Sequence, residues 1–170
     1  MKQCLLCNQF FTPPVLFTQI FRLKKYRERK LCSYCLKQFE HLIGNKCAFC
    51  SKVLKQGVIC VDCKNWQKKY SNNLLHNYAL YHYNSTFHDL MVDYKRRGDY
   101  ALREVLQELC YEYLHKTKYD YYVPIPTSPE HIKKRQFDTI FAIYGDILPL
   151  TPILIKKEGS HAQGKKNREE

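Results

Sequence analysis

No apolar run of about eighteen residues, the length that begins to span a bilayer, occurs in this 170-residue chain. A membrane-crossing helix is therefore not expected. The N-terminus, MKQCLLCNQFF, has neither an apolar h-region nor a small-residue cleavage site, which removes the secretory context that a disulfide framework requires. The chain reads as cytoplasmic. Acid is the next scarcity: 16 Asp and Glu stand against 28 Lys and Arg, a formal charge of +12. The shortage is local, because residues 1–70 hold 14 basic and 3 acidic side chains while residues 71–170 hold 14 and 13. With 45% apolar residues there is material for one modest core plus a small stapled unit.

What the first segment has in place of acid is thiol. Eight of the nine cysteines form four Cys-x-x-Cys pairs: Cys4/Cys7, Cys32/Cys35, Cys47/Cys50 and Cys60/Cys63. Each such turn sets two sulfurs on one side of a knuckle, and two knuckles close a tetrahedral Zn²⁺ site without a large core. The metal then supplies folding energy that so small a segment lacks. A thioredoxin-like redox site uses one such motif at the head of a helix, and four copies serve no redox purpose. Two structural zinc ions are the expectation, and closed Cys4 sites leave no open position for catalysis. The short loop carrying Gly57 suggests that Cys47/Cys50 and Cys60/Cys63 share one metal and that Cys4/Cys7 share the other with Cys32/Cys35. An interleaved pairing, first with third and second with fourth, satisfies the metals equally well. Cys110 lies in an apolar helical stretch and reads as a core residue.

Zinc alters the charge account. Four thiolates around a divalent ion leave a net negative site, so two sites reduce the formal +11 of residues 1–70 to about +7. The basic run Arg22, Lys24, Lys25, Arg27, Arg29 and Lys30 lies beside Phe21 and Tyr26, where cations meet phosphates and rings stack on bases. A second cluster, Lys64, Lys68 and Lys69 with Trp66 and Tyr70, follows the last cysteine pair. Charge alone fits a solvated face equally well; adjacency to zinc knuckles favours nucleic acid.

Residues 71–170 have a different texture. Tyr78–Tyr83 reads as a strand; Phe87, Leu90, Met91 and Tyr94 recur at helical spacing until Gly98. A second helix carries Leu102, Val105, Leu106, Leu109 and Tyr113. A β-rich run follows at 121–125, interrupted by Pro124 and Pro126, then a helix with Ile140, Phe141, Tyr144 and Ile147, then a strand at 153–155. Strands separated by helices predict a parallel α/β sheet. The expected division is therefore a basic double zinc-ribbon at 1–70 and an α/β domain at 71–170.

Two phrases are more specific than this periodicity: YKRRGD (94–99) and YVPIPTSPEHIKKRQFD (122–138). With four cysteine pairs upstream, they make the chain resemble the competence protein F family of the ComFC type. That family places a double zinc ribbon before a type I phosphoribosyltransferase-like domain. Lys95, Arg97, Gly98 and Asp99 represent its Lys-x-x-Gly-Asp phrase, Pro124 and Pro126 its Val-Pro-x-Pro strand end, and Arg135 opens an altered Arg-Gly-Phe-Asn phrase, with Gln136 and Asp138 in place of Gly and Asn. Gln163 is the nearest landmark at the C-terminus. The phosphoribosyl-pyrophosphate loop of such domains, an acid pair followed by Thr-Thr-Gly, does not occur in this sequence. The chain therefore reads as C-terminally truncated before that loop, with phosphoribosyl pyrophosphate a ligand of a full-length form alone.

Other signals lead less far. Residues 159–165 copy the P-loop spacing, but Lys166 replaces the magnesium-holding Ser/Thr. His41 is a substitute zinc ligand only where a cysteine fails; His76, His82 and His88 lack metal or acid–base spacing. Tyr78, Tyr81 and Tyr83 fit packing better than base stacking. No catalytic residue is assigned. The zinc module and its basic surface point to single-stranded DNA as the ligand, and the resemblance implies a part in the DNA uptake machinery, partnered by a competence helicase and recombination proteins. Phosphoribosyl transfer and pure protein docking are the alternatives.

Overall fold

The structure is a computed structural model that describes residues 1–14, 28–70, 74–116 and 118–156. Its first elements are short hydrogen-bonded frames around cysteine pairs. Strands β1 (Lys2–Gln3) and β2 (Phe10–Phe11) pair antiparallel, with Gln3 opposite Phe10. The intervening turn is closed by Asn8 N–H donating to Cys4 O at 2.9 Å and Cys4 N–H to Gln9 O at 3.0 Å. Asn8 sits at φ 59°, a left-handed conformation that Asn tolerates better than most side chains. Helix α1 (Ser33–Lys37) begins at Cys32, whose sulfur accepts from Cys35 N–H.

The same plan recurs further along. Lys46 and Val53 form an isolated antiparallel bridge. Within it Ser51, at φ 61°, donates its N–H to Cys47 O at 3.0 Å, and Cys47 N–H donates to Lys52 O at 2.8 Å. Helix α2 (Val61–Tyr70) then starts directly after Cys60. An apolar stripe does not drive it, since Cys63 is its one buried residue.

The described residues fall into two compact units, one within Met1–Leu23 and Leu31–Val92, the other within Lys24–Lys30 and Asp93–Glu170. In the first, the expected strand at 78–83 is reduced to a single antiparallel bridge between His41 and Tyr81. Leu42 N–H reaches Leu80 O and His82 N–H reaches Glu40 O, both at 2.8 Å. The partner segment is too short for a ladder. Of the three tyrosines Tyr81 serves packing as expected, at 6.5 Å from Phe39 and 6.1 Å from Phe87 between ring centroids, while Tyr78 and Tyr83 are exposed. Helix α3 (Ser85–Val92), capped by Asn84 Oδ1 at 3.0 Å from Phe87 N, buries Leu90.

In the second unit a π-helical turn (Asp93–Arg97) buries Tyr94. Gly98, at φ 79°, ends it, and the Asp99 carboxylate caps the following 3-10 turn (Tyr100–Leu102) by accepting from Ala101 N–H at 3.1 Å. Helix α4 (Arg103–Lys116) places Val105, Leu106 and Leu109 inward. Helix α5 (Pro129–Arg135) has Pro near its first position, where the missing N–H is not needed. Helix α6 (Thr139–Tyr144) packs Ile143 against α4. Buried Gln107 is satisfied by donating to Ala142 O at 3.2 Å and Ile143 O at 2.9 Å.

The helices at 87–94 and 102–113 follow the expected spacing, the one expected over 140–147 ends at Tyr144 and leaves Ile147 outside, and the parallel sheet does not form a ladder. Among the described residues the second unit has one isolated parallel bridge, Tyr122 to Leu150, with Thr151 N–H donating to Tyr122 O at 2.8 Å. Pro124 and Pro126 lack the donors that would extend the ladder, and Ile153–Ile155 are exposed. Among the described residues no helix is long and apolar enough to cross a membrane.

Candidate metal centres and the basic surface beside them

The two knuckle frames bring eight sulfurs into two quartets. Cys4, Cys7, Cys32 and Cys35 form one and Cys47, Cys50, Cys60 and Cys63 the other, with the ligand atoms in each within 4.8 Å of one another. The geometry thus selects sequential over interleaved pairing. Six of these residues are buried; Cys7 and Cys50 are half-buried.

The quartets fit a tetrahedral ion. Zn–S bonds of about 2.3 Å imply sulfur separations of roughly 3.8 Å. Cys7 and Cys32 Sγ lie 3.8 Å apart, and Cys50 and Cys60 Sγ 3.7 Å apart. Those distances are far beyond a disulfide bond, and none of the eight forms a disulfide. Backbone amides support the sulfurs identically in both sites. Cys32 N–H donates to Cys4 Sγ and Cys35 N–H to Cys32 Sγ, each at 3.4 Å; Cys60 N–H donates to Cys47 Sγ and Cys63 N–H to Cys60 Sγ, each at 3.3 Å. Such donors offset thiolate charge and orient the ligands.

Without an ion, four thiols cannot all ionise. Burial raises Cys4, but the amides of Cys32, Cys7 and Leu6 outweigh it and bring the thiol down to about 7. Cys47 reaches about 6 for the same reason, through the amides of Cys60, Cys50 and Phe49. Burial, then the three neighbouring sulfurs, push Cys35 and Cys63 far up. One sulfur per quartet therefore ionises first, and a divalent cation would supply the charge needed to hold the other three as thiolates.

The second quartet lies under the segment that follows α2. Ser51 Oγ donates to Asn77 O at 2.7 Å and accepts from Ala79 N–H at 3.2 Å, while Asn77 Nδ2 donates to Cys50 O at 3.2 Å. His76 stacks on Phe49 at 4.8 Å. His41 lies against Tyr81, with ring centroids 4.3 Å apart and planes tilted by 33°, and belongs to neither quartet.

Of the basic residues, Arg22, Lys24, Lys25 and Arg27 lie outside the described residues, as do Gln163 and the P-loop-like stretch. Arg29 is half-buried. Lys30 is engaged: its ammonium pairs with Glu104, and its backbone N–H donates to Glu108 Oε2 at 2.7 Å. That ion pair reduces its claim on a phosphate. Lys64, Lys68 and Lys69 are exposed on α2, and Lys69 Nζ lies 5.7 Å from the Trp66 ring and 5.4 Å from the Tyr70 ring.

The YKRRGD and RQFD phrases meet inside the second unit. Phe137 packs against Tyr94 at 5.5 Å and Tyr100 at 4.9 Å, and Tyr94 Oη donates to Thr139 O at 2.8 Å. The Asp138 carboxylate caps α6, accepting from Ile140 N–H at 2.8 Å, Phe141 N–H at 3.0 Å and Thr127 Oγ1 at 3.3 Å. Gly98 and Asp99 shape the turn, Arg97 pairs with Asp93 at 2.7 Å, Pro124 is buried and Pro126 half-buried. Burial, then the Arg135 charge, lowers Lys95. Gln136 takes a left-handed φ of 67°.

Two contributors escape a spacing search. Asn8 and Ser51 follow the second cysteine of the first knuckle in each quartet and turn the chain there. Their shared position after Cys-x-x-Cys is the signal that identifies them.

Comparison with known proteins finds the chain similar to Competence protein ComFC of Streptococcus pneumoniae (strain ATCC BAA-255 / R6), with 30% identity over 168 residues, 99% of this chain and 74% of that protein. It is also similar to Competence protein ComFC of Bacillus subtilis (strain 168), with 27% identity over 140 residues, 79% of this chain and 58% of that protein. The chain thus spans less than two thirds of the second relative's length. No family model and no solved structure matches it.

Proposed function

The chain belongs to the ComFC family of competence proteins, and on that basis we propose that it is a zinc-holding, single-stranded DNA-binding protein of natural competence. A role in competence follows from the family; the metal and the nucleic acid are our reading. The observation that carries it is the pair of thiol quartets on a segment rich in Lys and Arg.

Cys4, Cys7, Cys32 and Cys35 would hold one zinc ion, and Cys47, Cys50, Cys60 and Cys63 the other. All-sulfur tetrahedra suit a soft-to-borderline cation such as zinc. Four sulfurs complete each shell, so the ion supplies folding energy and stiffness rather than an open coordination site. The chain's own residues do the rest. The knuckles fix the start of α2, whose lysines face solvent beside a ring pair. The remaining Lys/Arg-rich run, Arg22 to Arg29, adds phosphate contacts.

The second unit is read as part of a phosphoribosyltransferase-like α/β domain, supported by the parallel bridge between Tyr122 and Leu150 across two helices. Phosphoribosyl pyrophosphate belongs to a form that carries the acid-pair loop. In the cytoplasm, where thiols stay reduced, the protein would hand single strands between a helicase and recombination proteins.

Elemental analysis of the purified chain and anisotropy of a labelled oligonucleotide test this reading together. Two zinc ions per chain are expected, with affinity falling steeply as salt rises, because cation release dominates phosphate binding. Alanine at Lys24, Lys25, Arg27 and Arg29 should weaken binding and leave zinc content unchanged. A zinc-loaded chain that fails to bind single strands at low salt overturns the nucleic-acid reading. A chain that purifies without zinc and regains none on adding it overturns the metal.

A further inference from the structure

We infer that Trp66 and Tyr70 of α2 form a base-stacking platform, flanked by Lys64, Lys68 and Lys69, that makes this surface selective for unpaired over duplex nucleic acid. The inference rests on the nucleic-acid reading above and assigns its contact surface.

The geometry is specific. The two rings, one helical turn apart, stack with centroids 5.5 Å apart and planes 21° from parallel. Trp66 keeps 45% and Tyr70 49% of its surface exposed, although a tryptophan is usually among the more buried side chains. Burial among the described residues does not account for them, because Cys63 is the one buried residue of the helix. An i,i+4 ring pair stabilises a helix only slightly. Lys69 lies within cation–π range of both rings.

Charge selects the occupant. Three lysines line α2, and its one acid, Asp62, is already paired with Lys52 at 3.2 Å. An anionic chain that also offers flat π-faces answers both features, and single-stranded nucleic acid is such a chain. Duplex bases are stacked on one another and cannot use the rings. The second quartet anchors the helix at its start through Cys60 and Cys63, so the platform stands on a metal-stiffened base.

Trp66 is the only tryptophan in the chain, so intrinsic fluorescence reports on the proposed contact directly. Titrating zinc-loaded protein with oligothymidylate should quench that emission saturably, in step with anisotropy. Trp66→Ala and Tyr70→Ala should each lower affinity roughly fivefold to a hundredfold and erase the preference for single strands, with the salt dependence intact. Alanine at Lys64, Lys68 and Lys69 should instead flatten the salt slope by about two, at roughly 0.7 per phosphate contact. Trp66→Phe should restore much of the affinity, and zinc content should be unchanged throughout.

Binding with no change in emission and no loss in Trp66→Ala overturns the platform while leaving the nucleic-acid reading standing. No binding at low salt removes that reading, and the platform with it. Equal quenching and affinity with poly-glutamate overturns the inference by showing that α2 takes any polyanion or an acidic protein partner.

Discussion

The two cysteine quartets and the core of the second unit are held together by opposite means. Each quartet is a local object: a bridged turn with a left-handed residue after its second cysteine, a short helix start, and the same pair of N–H···S contacts. The plan survives a change in linker, since a long segment separates Cys7 from Cys32 and a short one separates Cys50 from Cys60. The second unit is the reverse. Its core joins Tyr94, Leu102, Val105, Leu106 and Leu109 to Ile143 of the later helix α6, and apolar burial stabilises it. Spacing thus prescribes the first architecture, and long-range packing the second.

Metal removal breaks this comparison most sharply. Structural zinc contributes about 10–16 kcal/mol in zinc-finger peptides, and the proposed ions would contribute on that order to the quartets. Chelation should therefore abolish amide-exchange protection at Cys4, Cys35, Cys47 and Cys63, while α4 stays protected. Equal loss in both units would contradict separate sources of stability. Acid should act in the same direction, because protons compete with the ion for thiolates.

A cavity in the second core is the next largest effect. Leu106 is 7% exposed on α4, so Leu106→Ala should destabilise that unit by about 2–5 kcal/mol. Denaturant melts followed by exchange should show α4 weakened with zinc content intact. Zinc loss in this variant would show the two units to be energetically coupled.

These two regions also differ in how much the sequence discloses. The quartets are legible because ligand spacing is local chemistry, and only the sequential pairing required coordinates. Helix α4 is legible because Leu102, Val105, Leu106 and Leu109 repeat at its period. Helix α2 is not, since it starts directly after Cys60 and carries Lys, Asn and Gln in place of an apolar stripe. Helix α5 is signalled by Ser128-Pro129 yet obscured by its charges. The tyrosine alternation at 78–83 and the apolar runs at 121–125 and 153–155 suggest strands. A strand, however, needs a partner with free donors and acceptors, and sequence alone does not count partners. Lys30 presents the same difficulty: its charge is evident, but its ion pair with Glu104 depends on the fold.

Alkaline pH sharpens the contrast more gently. Burial, then nearby Tyr100 and Asp138, push the Tyr94 hydroxyl well above the usual phenol range, and it donates to Thr139 O at 2.8 Å. The folded state therefore keeps its proton where the unfolded chain loses it. This contribution is full below a pH of about 10 and declines as pH rises toward the higher folded-state value. Tyr94→Phe should destabilise the second unit by about 0.5–1.5 kcal/mol at neutral pH and flatten the loss of stability above a pH of about 10. An unchanged alkaline profile in this variant would assign the dependence to another group.

The smallest effect concerns Gln136, which ends α5 at φ 67° with its side-chain amide bonded to Lys133 O. A side chain with a Cβ meets its following carbonyl in that conformation, at a penalty of about 1–2 kcal/mol. Glycine avoids the clash but loses more chain entropy on folding, and the Lys133 contact would go as well. The balance should leave Gln136→Gly more stable by about 0.5 kcal/mol, visible as a small rise in the melting temperature of the second unit. Gln136→Val should move it the other way, because a β-branched side chain tolerates the left-handed region least. Asn8 and Ser51 hold the corresponding geometry in the quartets. If Gln136→Gly instead destabilises the unit, the Lys133 contact outweighs backbone strain, and the end of α5 is set by its side chain as firmly as the knuckles are set by sulfur.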